Sequence, residues 1–262
     1  MAPKAPLFVY GTAWKEDRTA GLTEKAVVNG FAVVDTANYP TAYNEPLTGD
    51  GIAAAIRSGI KRSHLFIQTE FTPAWAHGKD KIPFNPDQRV EGQVKDSIQQ
   101  SVEHLQVDYL DALLLYVPFS DDDDMLTAWK VFQTFVLNTI CSLGISNVEL
   151  LQLENIYANS TVKPTTYDVT YQAFWMLRHN LEVLDSNLLA SVAKKMKVEK
   201  ELAFYILILG LGGTQVLNGT TRSETMLEDL RTVDQVFEDE TRLRGLQPDV
   251  DEFRKLLLKL VS

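Results

Sequence analysis

Cysteine is nearly absent from this sequence, with Cys141 as the single example among 262 residues. One cysteine excludes an intramolecular disulfide and a metal site built from several thiolates. Because Cys141 lies in the apolar stretch Thr139–Leu143, we expect it to be a small core residue rather than a nucleophile.

Long apolar runs and clusters of basic residues are also missing. The most apolar stretch, Leu202 to Leu211, is too short to cross a bilayer, and the first residues do not resemble a secretory signal. The net charge is −10 and the basic residues are scattered, which disfavours binding to nucleic acid or to an anionic membrane. The run Asp121–Asp124 predicts a solvated loop rather than a metal site. These features predict a cytoplasmic protein and leave its oligomeric state open.

Apolar strand-like segments alternate with segments of helical spacing. The predicted strands are Leu7–Tyr10, Ala32–Asp35, Leu65–Thr69, Ala112–Val117, Ile140–Ile145, Thr170–Phe174 and Gln215–Leu217. Helical spacing occurs at Thr23–Asn29, Gly51–Ser58, Arg89–Leu105, Leu126–Asn138, Glu149–Tyr157, Asn187–Met196, Glu201–Leu209, Glu224–Val236 and Asp249–Leu260. This alternation predicts an α/β fold with a parallel sheet, and seven or eight units in one chain favour a single (β/α)₈ barrel domain over residues 1–262. No Gly-x-Gly-x-x-Gly motif follows the first strand, which disfavours a Rossmann fold.

Reacting groups in such barrels lie where strands end and the following loops begin. The polar and aromatic residues at these predicted ends are Thr12, Trp14, Asp35, Glu70, Tyr116, Ser146, Asn147, Phe174, Trp175, Gly219, Thr220 and Thr221.

The sequence at these strand ends resembles the aldo-keto reductases, and a fungal-like subgroup in particular. The motifs that carry the resemblance are YGTAWK, GFAVVDTANYPTAYNEPLTGDGIAAAI, LFIQTEF, DYLDALLLYVP, LGISNV, YQAFWML and VLNGTTRSETMLEDL, in the family's order along nearly the whole chain. The resemblance implies a TIM barrel and, in ordinary members, NADPH-dependent reduction of carbonyls by an Asp, a Tyr, a Lys and a His.

Only half of that catalytic set is present. Asp35 and Tyr43 match the Asp and the Tyr, whereas Glu70 stands at the Lys position and Tyr116 at the His position. A carboxylate in place of an ammonium group should raise the pKa of the Tyr43 phenol and favour a shared proton between Asp35 and Glu70. Two readings of Glu70 stay open: an acid or base with a raised pKa, or the partner of a nearby Lys or Arg. Two readings of Tyr116 also stay open: a hydrogen-bond donor in the pocket, or a side chain that only fills space.

The cofactor positions implied by the resemblance are also incomplete. Ser146 and Asn147 match the pair that binds the nicotinamide carboxamide. The segment Gly219, Thr220, Thr221 contains no Lys for an adenosine 2′-phosphate, and the expected Arg falls at Thr225, although Arg222 lies close by. We therefore expect NADPH binding to be doubtful.

One βα unit of the family pattern is shortened or missing around residues 160–172. Residues 162–169 lead almost directly into the predicted strand Thr170–Phe174, whereas a crossover with its helix needs about a dozen residues. A barrel would then close only if Thr165–Val169 and Thr170–Phe174 take the places of two strands.

The substrate pocket is expected to include Thr12, Trp14, Trp75, Trp175 and His179. The favoured hypothesis is an enzyme without cofactor, an isomerase, cyclase or dehydratase acting on an apolar polyketide- or terpenoid-like small molecule of secondary metabolism. In that hypothesis Asp35, Tyr43, Glu70 and Tyr116 supply the acid-base groups. The alternatives are an NADPH-dependent carbonyl reductase with altered catalytic residues, and a small-molecule-binding or regulatory protein without catalysis.

Overall fold

The computed structural model describes residues 6–164 and 171–261. They belong to two compact units: a larger one, Tyr10–Asp168, and a smaller one, which combines Met1–Val9 with Val169–Ser262. Strand β1 (Phe8–Gly11) begins in the smaller unit and ends in the larger one.

The larger unit alternates strands and helices, as the sequence pattern predicts. After β1 come α1 (Thr19–Val28), β2 (Val33–Asp35), α2 (Glu45–Arg57), β3 (Phe66–Phe71), α3 (Val90–Leu105), β4 (Leu110–Leu115), α4 (Asp122–Phe135), β5 (Ile140–Ile145) and α5 (Leu150–Asn159). The strand order is β5-β4-β3-β2-β1, and each neighbouring pair is parallel. Parallel neighbours require crossover connections, which the helices supply.

The core of the larger unit lies between these strands and helices. Phe71, at the end of β3, packs against the rings of Phe84, Phe119 and Phe132 at centroid distances of 5.7, 6.3 and 5.9 Å. Strand residues such as Ile67 and Leu113 are completely or almost completely buried, as expected for strands covered on both faces.

Helix α2 approaches its neighbours closely through two glycines. A Cβ atom at Gly49 would lie 2.0 Å from the carbonyl oxygen of His104, and one at Gly51 would lie 2.4 Å from that of Ala20. Neither position has room for a larger side chain, so these glycines set the distances from α2 to α3 and α1.

The smaller unit contains β6 (Tyr171–Ala173), α6 (Met176–His179), α7 (Leu181–Leu184), α8 (Asn187–Met196), α9 (Lys200–Gly210), β7 (Thr214–Asn218), α10 (Ser223–Phe237) and α11 (Glu240–Val261). Strand β7 is parallel to β6, and its Val216 amide donates to the Leu7 carbonyl just before β1. Most of α9 is buried, which explains the apolar stretch that begins at Leu202. Across residues 6–164 and 171–261, no helix has the length and hydropathy needed to span a membrane.

The shortened unit predicted around residues 160–172 is confirmed, because the described ranges contain seven strands, and the described residues between α5 and β6 form no further strand or helix. The chain after α5 is held by α4: the Gln133 side chain accepts hydrogen bonds from the amides of Thr161 and Val162, and the Trp129 indole donates to the Val162 carbonyl. The predicted strand segment Thr165–Val169 lies outside the described residues.

Two local predictions are wrong. Cys141 is exposed rather than in the core, because successive side chains of a strand point to opposite faces and the preceding Ile140 takes the buried face. The acidic run is not a loop, since Asp122 to Asp124 form the first turn of α4 and the Asp121 carboxylate caps it by accepting from the Asp124 amide. Acidic residues stabilise a helix at this end because the unpaired amides and the helix dipole attract negative charge.

Candidate active site

Asp35 is the last residue of β2 and is held from both sides. The Thr12 amide and hydroxyl both donate to the Asp35 backbone carbonyl, at 3.0 and 2.9 Å. The Gln68 side chain on β3 donates to the Asp35 carboxyl at 2.7 Å. Thr12, predicted as a pocket residue, is completely buried and positions Asp35.

Glu70 lies on the same face of the sheet as Asp35. Gln68 and Glu70 are two residues apart on β3, so their side chains point to one face, while Thr69 points to the other. The Thr69 hydroxyl accordingly donates to the Glu45 carboxylate at the start of α2. The Glu70 side chain is buried on the face of the sheet that carries Asp35, away from the helix layer.

Tyr43 is held in the loop between β2 and α2. Its amide and that of Ala42 both donate to the Tyr39 carbonyl, which closes a turn. The next residue, Asn44, caps α2 by accepting from the Leu47 amide at 3.1 Å. The turn and the cap therefore fix the backbone on both sides of Tyr43.

The pKa values of Asp35, Glu70 and Tyr43 are all raised. Burial, opposed by the hydrogen bond from Gln68, raises the pKa of Asp35 to about 7. Burial and then the Asp35 charge raise the pKa of Glu70 well above its ordinary 4.5. Burial, Asp35, Glu70 and Tyr116 raise the pKa of Tyr43 above its ordinary 10.0. In residues 6–164 and 171–261 no Lys or Arg pairs with Glu70, which answers the question left open by the sequence.

Tyr116 follows β4, and its amide donates to the Phe71 carbonyl. Its ring packs against the Tyr39 ring at a centroid distance of 5.1 Å. Burial and then the Glu70 charge raise the pKa of the Tyr116 phenol to about 12. The phenol therefore stays protonated at neutral pH and is able to donate a hydrogen bond.

Three neighbours of this group were not singled out from the sequence. Gln68 could have been found from the sequence, because it lies two residues before Glu70 on a predicted strand and therefore on the same face. Tyr39 and His77 carry no such signal, since they meet only through folded loops: their rings are 5.3 Å apart, and the buried His77 ring nitrogen Nε2 lies 3.0 Å from the Thr72 carbonyl oxygen.

Ser146 and Asn147 follow β5 directly. The Ser146 amide donates to the Leu115 carbonyl, and the Asn147 side-chain amide donates to the Tyr116 carbonyl at 2.8 Å. Asn147 has a positive φ of 52°, a conformation that asparagine tolerates better than most residues. The pair is thus tied to the backbone that carries Tyr116.

Trp14, in the turn after β1, and Trp75, in the short 3₁₀ helix Ala74–Ala76, are exposed at 48% and 59%. The Trp14 amide donates to the Ala42 carbonyl at 2.6 Å, which places the Trp14 backbone against the turn that carries Tyr43.

The remaining predicted residues lie in the smaller unit. The Trp175 and His179 rings are stacked with centroids 5.1 Å apart. Thr220 follows β7, and its amide donates to the side chain of Asn218, which in turn donates to the buried Asp229. Arg222 is exposed at the residue that precedes α10, and Gly219 and Thr221 lie in the same β7–α10 loop.

Several known proteins similar to this chain are named as reductases. The sequence profile of the Aldo/keto reductase family matches residues 9–197. A glyoxal reductase of Bacillus subtilis is 29% identical over 56% of this chain and 46% of its own length. An NAD(P)H-dependent D-xylose reductase of Pachysolen tannophilus is 23% identical over 65% of this chain and 57% of its own.

A silkworm (Bombyx mori) aldo-keto reductase, in a crystal structure complexed with NADPH, superposes with a TM-score of 0.71 at 18% identity, over 92% of this chain and 83% of that one. This similarity shows the fold, and the predicted fold class, a TIM barrel of aldo-keto reductase type with one shortened unit, is confirmed. The chain spans about half the length of the curated relatives it matches.

Two functional predictions are contradicted by these relatives. A non-redox isomerase, cyclase or dehydratase is not what they are named for, and the prediction of an enzyme without cofactor conflicts with relatives named for NAD(P)H or crystallised with NADPH. The sequence argument counted the replacement of the Lys by Glu70 against a working reductase. Burial weakens that argument, because it raises the Glu70 pKa and favours the protonated, neutral carboxyl.

Proposed function

The chain belongs to the aldo/keto reductase family, and from that membership we propose that it reduces a small carbonyl compound with NAD(P)H, using Glu70 and Tyr116 where ordinary members use a lysine and a histidine. The observation that carries the proposal is the group formed by Asp35, Glu70, Tyr43 and Tyr116, in which each member perturbs or is perturbed by the others. Mutual perturbation of buried titratable groups is typical of catalytic sites.

Each of the two units contains residues that suit one part of a dinucleotide. Asn147 is exposed, tied to the Tyr116 carbonyl, and suited to hydrogen-bond a nicotinamide carboxamide together with Ser146. In the smaller unit, the exposed Arg222 guanidinium at the residue before α10 is a donor for a phosphate. When bound, the reduced dinucleotide supplies the hydride.

The chain's own residues supply the proton. The carbonyl oxygen of a substrate becomes negative as its carbon is reduced, so it needs donors and finally a proton. Tyr43 and Tyr116 are neutral phenols at neutral pH and act as hydrogen-bond donors to that oxygen.

Asp35 and Glu70 share the proton that is finally transferred. Their raised pKa values keep a proton on the pair near pH 7, where a general acid works best. Glu70, as a carboxylic acid, reprotonates Tyr43 or the product oxygen. In this arrangement a lysine is not needed to make the phenol acidic, because the carboxyl pair is the acid.

The test combines binding with turnover. Calorimetric titration with NADPH and with NADH comes first, followed by a reductase assay with glyoxal and D-xylose as probes. We expect saturable dinucleotide binding and turnover that falls by about 10²-fold or more in Glu70→Gln, which keeps the size but removes the acid. Tyr43→Phe should fall similarly, while Asp122→Asn, an equal charge change on the exposed start of α4, should keep full activity. A folded protein that binds neither dinucleotide would refute the proposal.

A further inference from the structure

The last residue of β7, Asn218, is tied to α10 by a buried side-chain link. Asn218 is completely buried, and both ends of its side-chain amide have partners. The Asn218 nitrogen Nδ2 donates to a carboxylate oxygen of Asp229 at 2.7 Å, and the Asn218 oxygen Oδ1 accepts from the Thr220 amide at 3.0 Å. A carboxylate only accepts and a backbone N–H only donates, so these two partners fix the orientation of the Asn218 amide.

Asp229 lies inside α10 and is itself buried. Burial, opposed by the hydrogen bond from Asn218, raises the pKa of Asp229 to about 6, with further contributions from the charges of Glu228, Arg222 and Glu201. Asp229 is therefore mainly a carboxylate at neutral pH and accepts from Asn218. A buried acid costs stability, and what this one achieves is a fixed connection between a strand end and a helix.

The segment that this connection holds is the β7–α10 loop, residues 219–222. At its start, Asn218 accepts from the amide two residues further on, which is the hydrogen bond of an Asx turn. At its end, the Met226 amide donates to the Arg222 carbonyl as α10 begins. Asp229 joins the two ends, because it belongs to α10 and contacts the end of β7. The exposed guanidinium of Arg222 is carried by a loop with defined ends.

We propose that Asp229 is a positioning residue for the dinucleotide: through Asn218 it holds the β7–α10 loop in the conformation that presents Arg222 to a phosphate. The inference rests on the proposed reductase function and concerns binding rather than the chemical step. Asp229 is buried and acts through Asn218, not on the ligand. Without Asp229, the Asn218 amide rotates, the Thr220 amide loses its oriented acceptor, and ordering the loop on the ligand costs conformational entropy.

The experiment measures NADPH affinity by calorimetry on the full chain. Asp229→Leu keeps a side chain of similar size but removes the acceptor, so we expect NADPH to bind about tenfold more weakly. Asp229→Asn keeps an acceptor oxygen and should recover most of the affinity that Asp229→Leu loses. The matched control is Asp234→Leu, the same change at an exposed residue of α10, which should bind NADPH like the wild type.

Three readouts distinguish positioning from a general loss of stability. In the glyoxal reductase assay, the KM for NADPH should rise in Asp229→Leu with little change in kcat, because uniform binding is lost. In an Arg222→Gln background, Asp229→Leu should cost little further affinity, because the side chain that it positions is already gone. Hydrogen exchange at the Thr220 amide in the free protein should become at least about tenfold faster in Asp229→Leu.

The outcomes separate the two proposals. Wild-type affinity in a folded Asp229→Leu, an equal loss in Asp234→Leu, or a full further loss in the Arg222→Gln background overturns the positioning role and leaves the reductase standing. A wild-type chain that binds neither NADPH nor NADH refutes the reductase and the positioning role together. If Asp229→Leu does not fold, Asn218→Ser decides: its hydroxyl still accepts from the Thr220 amide but is too short to reach Asp229. Weaker NADPH binding in Asn218→Ser is then expected, and unchanged binding overturns the role of Asp229.

Discussion

The ring of Tyr39 lies against the ring of Tyr116, with the centroids 5.1 Å apart and the planes inclined by 33°. The same residue accepts, at its backbone carbonyl, the amides of Ala42 and Tyr43. One residue therefore holds two candidate donors: Tyr116 through its ring and Tyr43 through its backbone. The Tyr39 ring also packs edge-to-face against the ring of His77.

Removing the Tyr39 ring should reduce activity without unfolding the protein. Tyr39→Leu leaves the turn that holds Tyr43 but takes away the surface against which Tyr116 packs, so we expect kcat to fall roughly 10- to 100-fold. Tyr39→Phe keeps the ring and should stay close to wild type. Steady-state kinetics and the thermal midpoint of each variant check this, and equal activity of the two variants would contradict it.

The sequence was sufficient for those parts of the site that depend on regular structure. Asp35, Glu70 and Tyr116 stand at strand ends, and strand ends can be read from short apolar runs. Tyr39 and His77 could not be found, because the β2–α2 loop and the β3–α3 loop must both fold before their rings meet. The sequence left two readings of Glu70 open for a related reason: the Glu70 pKa depends on a burial that only the fold determines.

Two glycines in helices offer a matched test of packing. Gly49→Ala in α2 places a Cβ 2.0 Å from the His104 carbonyl oxygen, so the helices must separate, and we expect a loss of about 1–3 kcal/mol in the free energy of unfolding. Gly21→Ala in α1 meets nothing within 4 Å and should gain about 0.5–1 kcal/mol from its lower chain entropy in the unfolded state. Urea denaturation of both variants is the measurement, and changes of the same sign would refute the assigned helix contact.

The buried carboxyl pair should make the protein less stable as the pH rises. Asp35 has an ordinary pKa of 3.8 and a pKa of about 7 in the folded protein, and Glu70 is shifted in the same direction. The folded state therefore binds more protons than the unfolded state between these values. This contribution is complete below about pH 4 and is lost as the pH rises through about 7.

The comparison that tests this is Glu70→Gln against wild type, in denaturation curves from about pH 5 to pH 8. We expect the variant to be the more stable protein at the alkaline end, because it cannot ionise, although it has lost activity. Stability gained where activity is lost is typical of a residue kept for function. A variant that is less stable by the same amount at every pH would instead assign Glu70 a packing role.

His104 should stabilise the protein at acidic pH and lose this effect as the pH rises. Its ring nitrogen Nδ1 lies 3.0 Å from a carboxylate oxygen of the buried Glu45, and this hydrogen bond, opposed by burial, raises the His104 pKa above 6.5. A raised folded pKa means that the contribution is fully present below 6.5 and is lost as the pH rises through the folded value. His104→Gln should therefore cost more stability at about pH 5.5 than at about pH 8.5, as measured by urea denaturation at both. An equal cost at the two pH values would mean that the neutral imidazole serves Glu45 as well as the imidazolium does. Glu45 also accepts a hydrogen bond from the hydroxyl of Thr69, the residue before Glu70 on β3. The His104→Gln variant therefore also tests whether the His104–Glu45 pair supports the strand that carries Glu70.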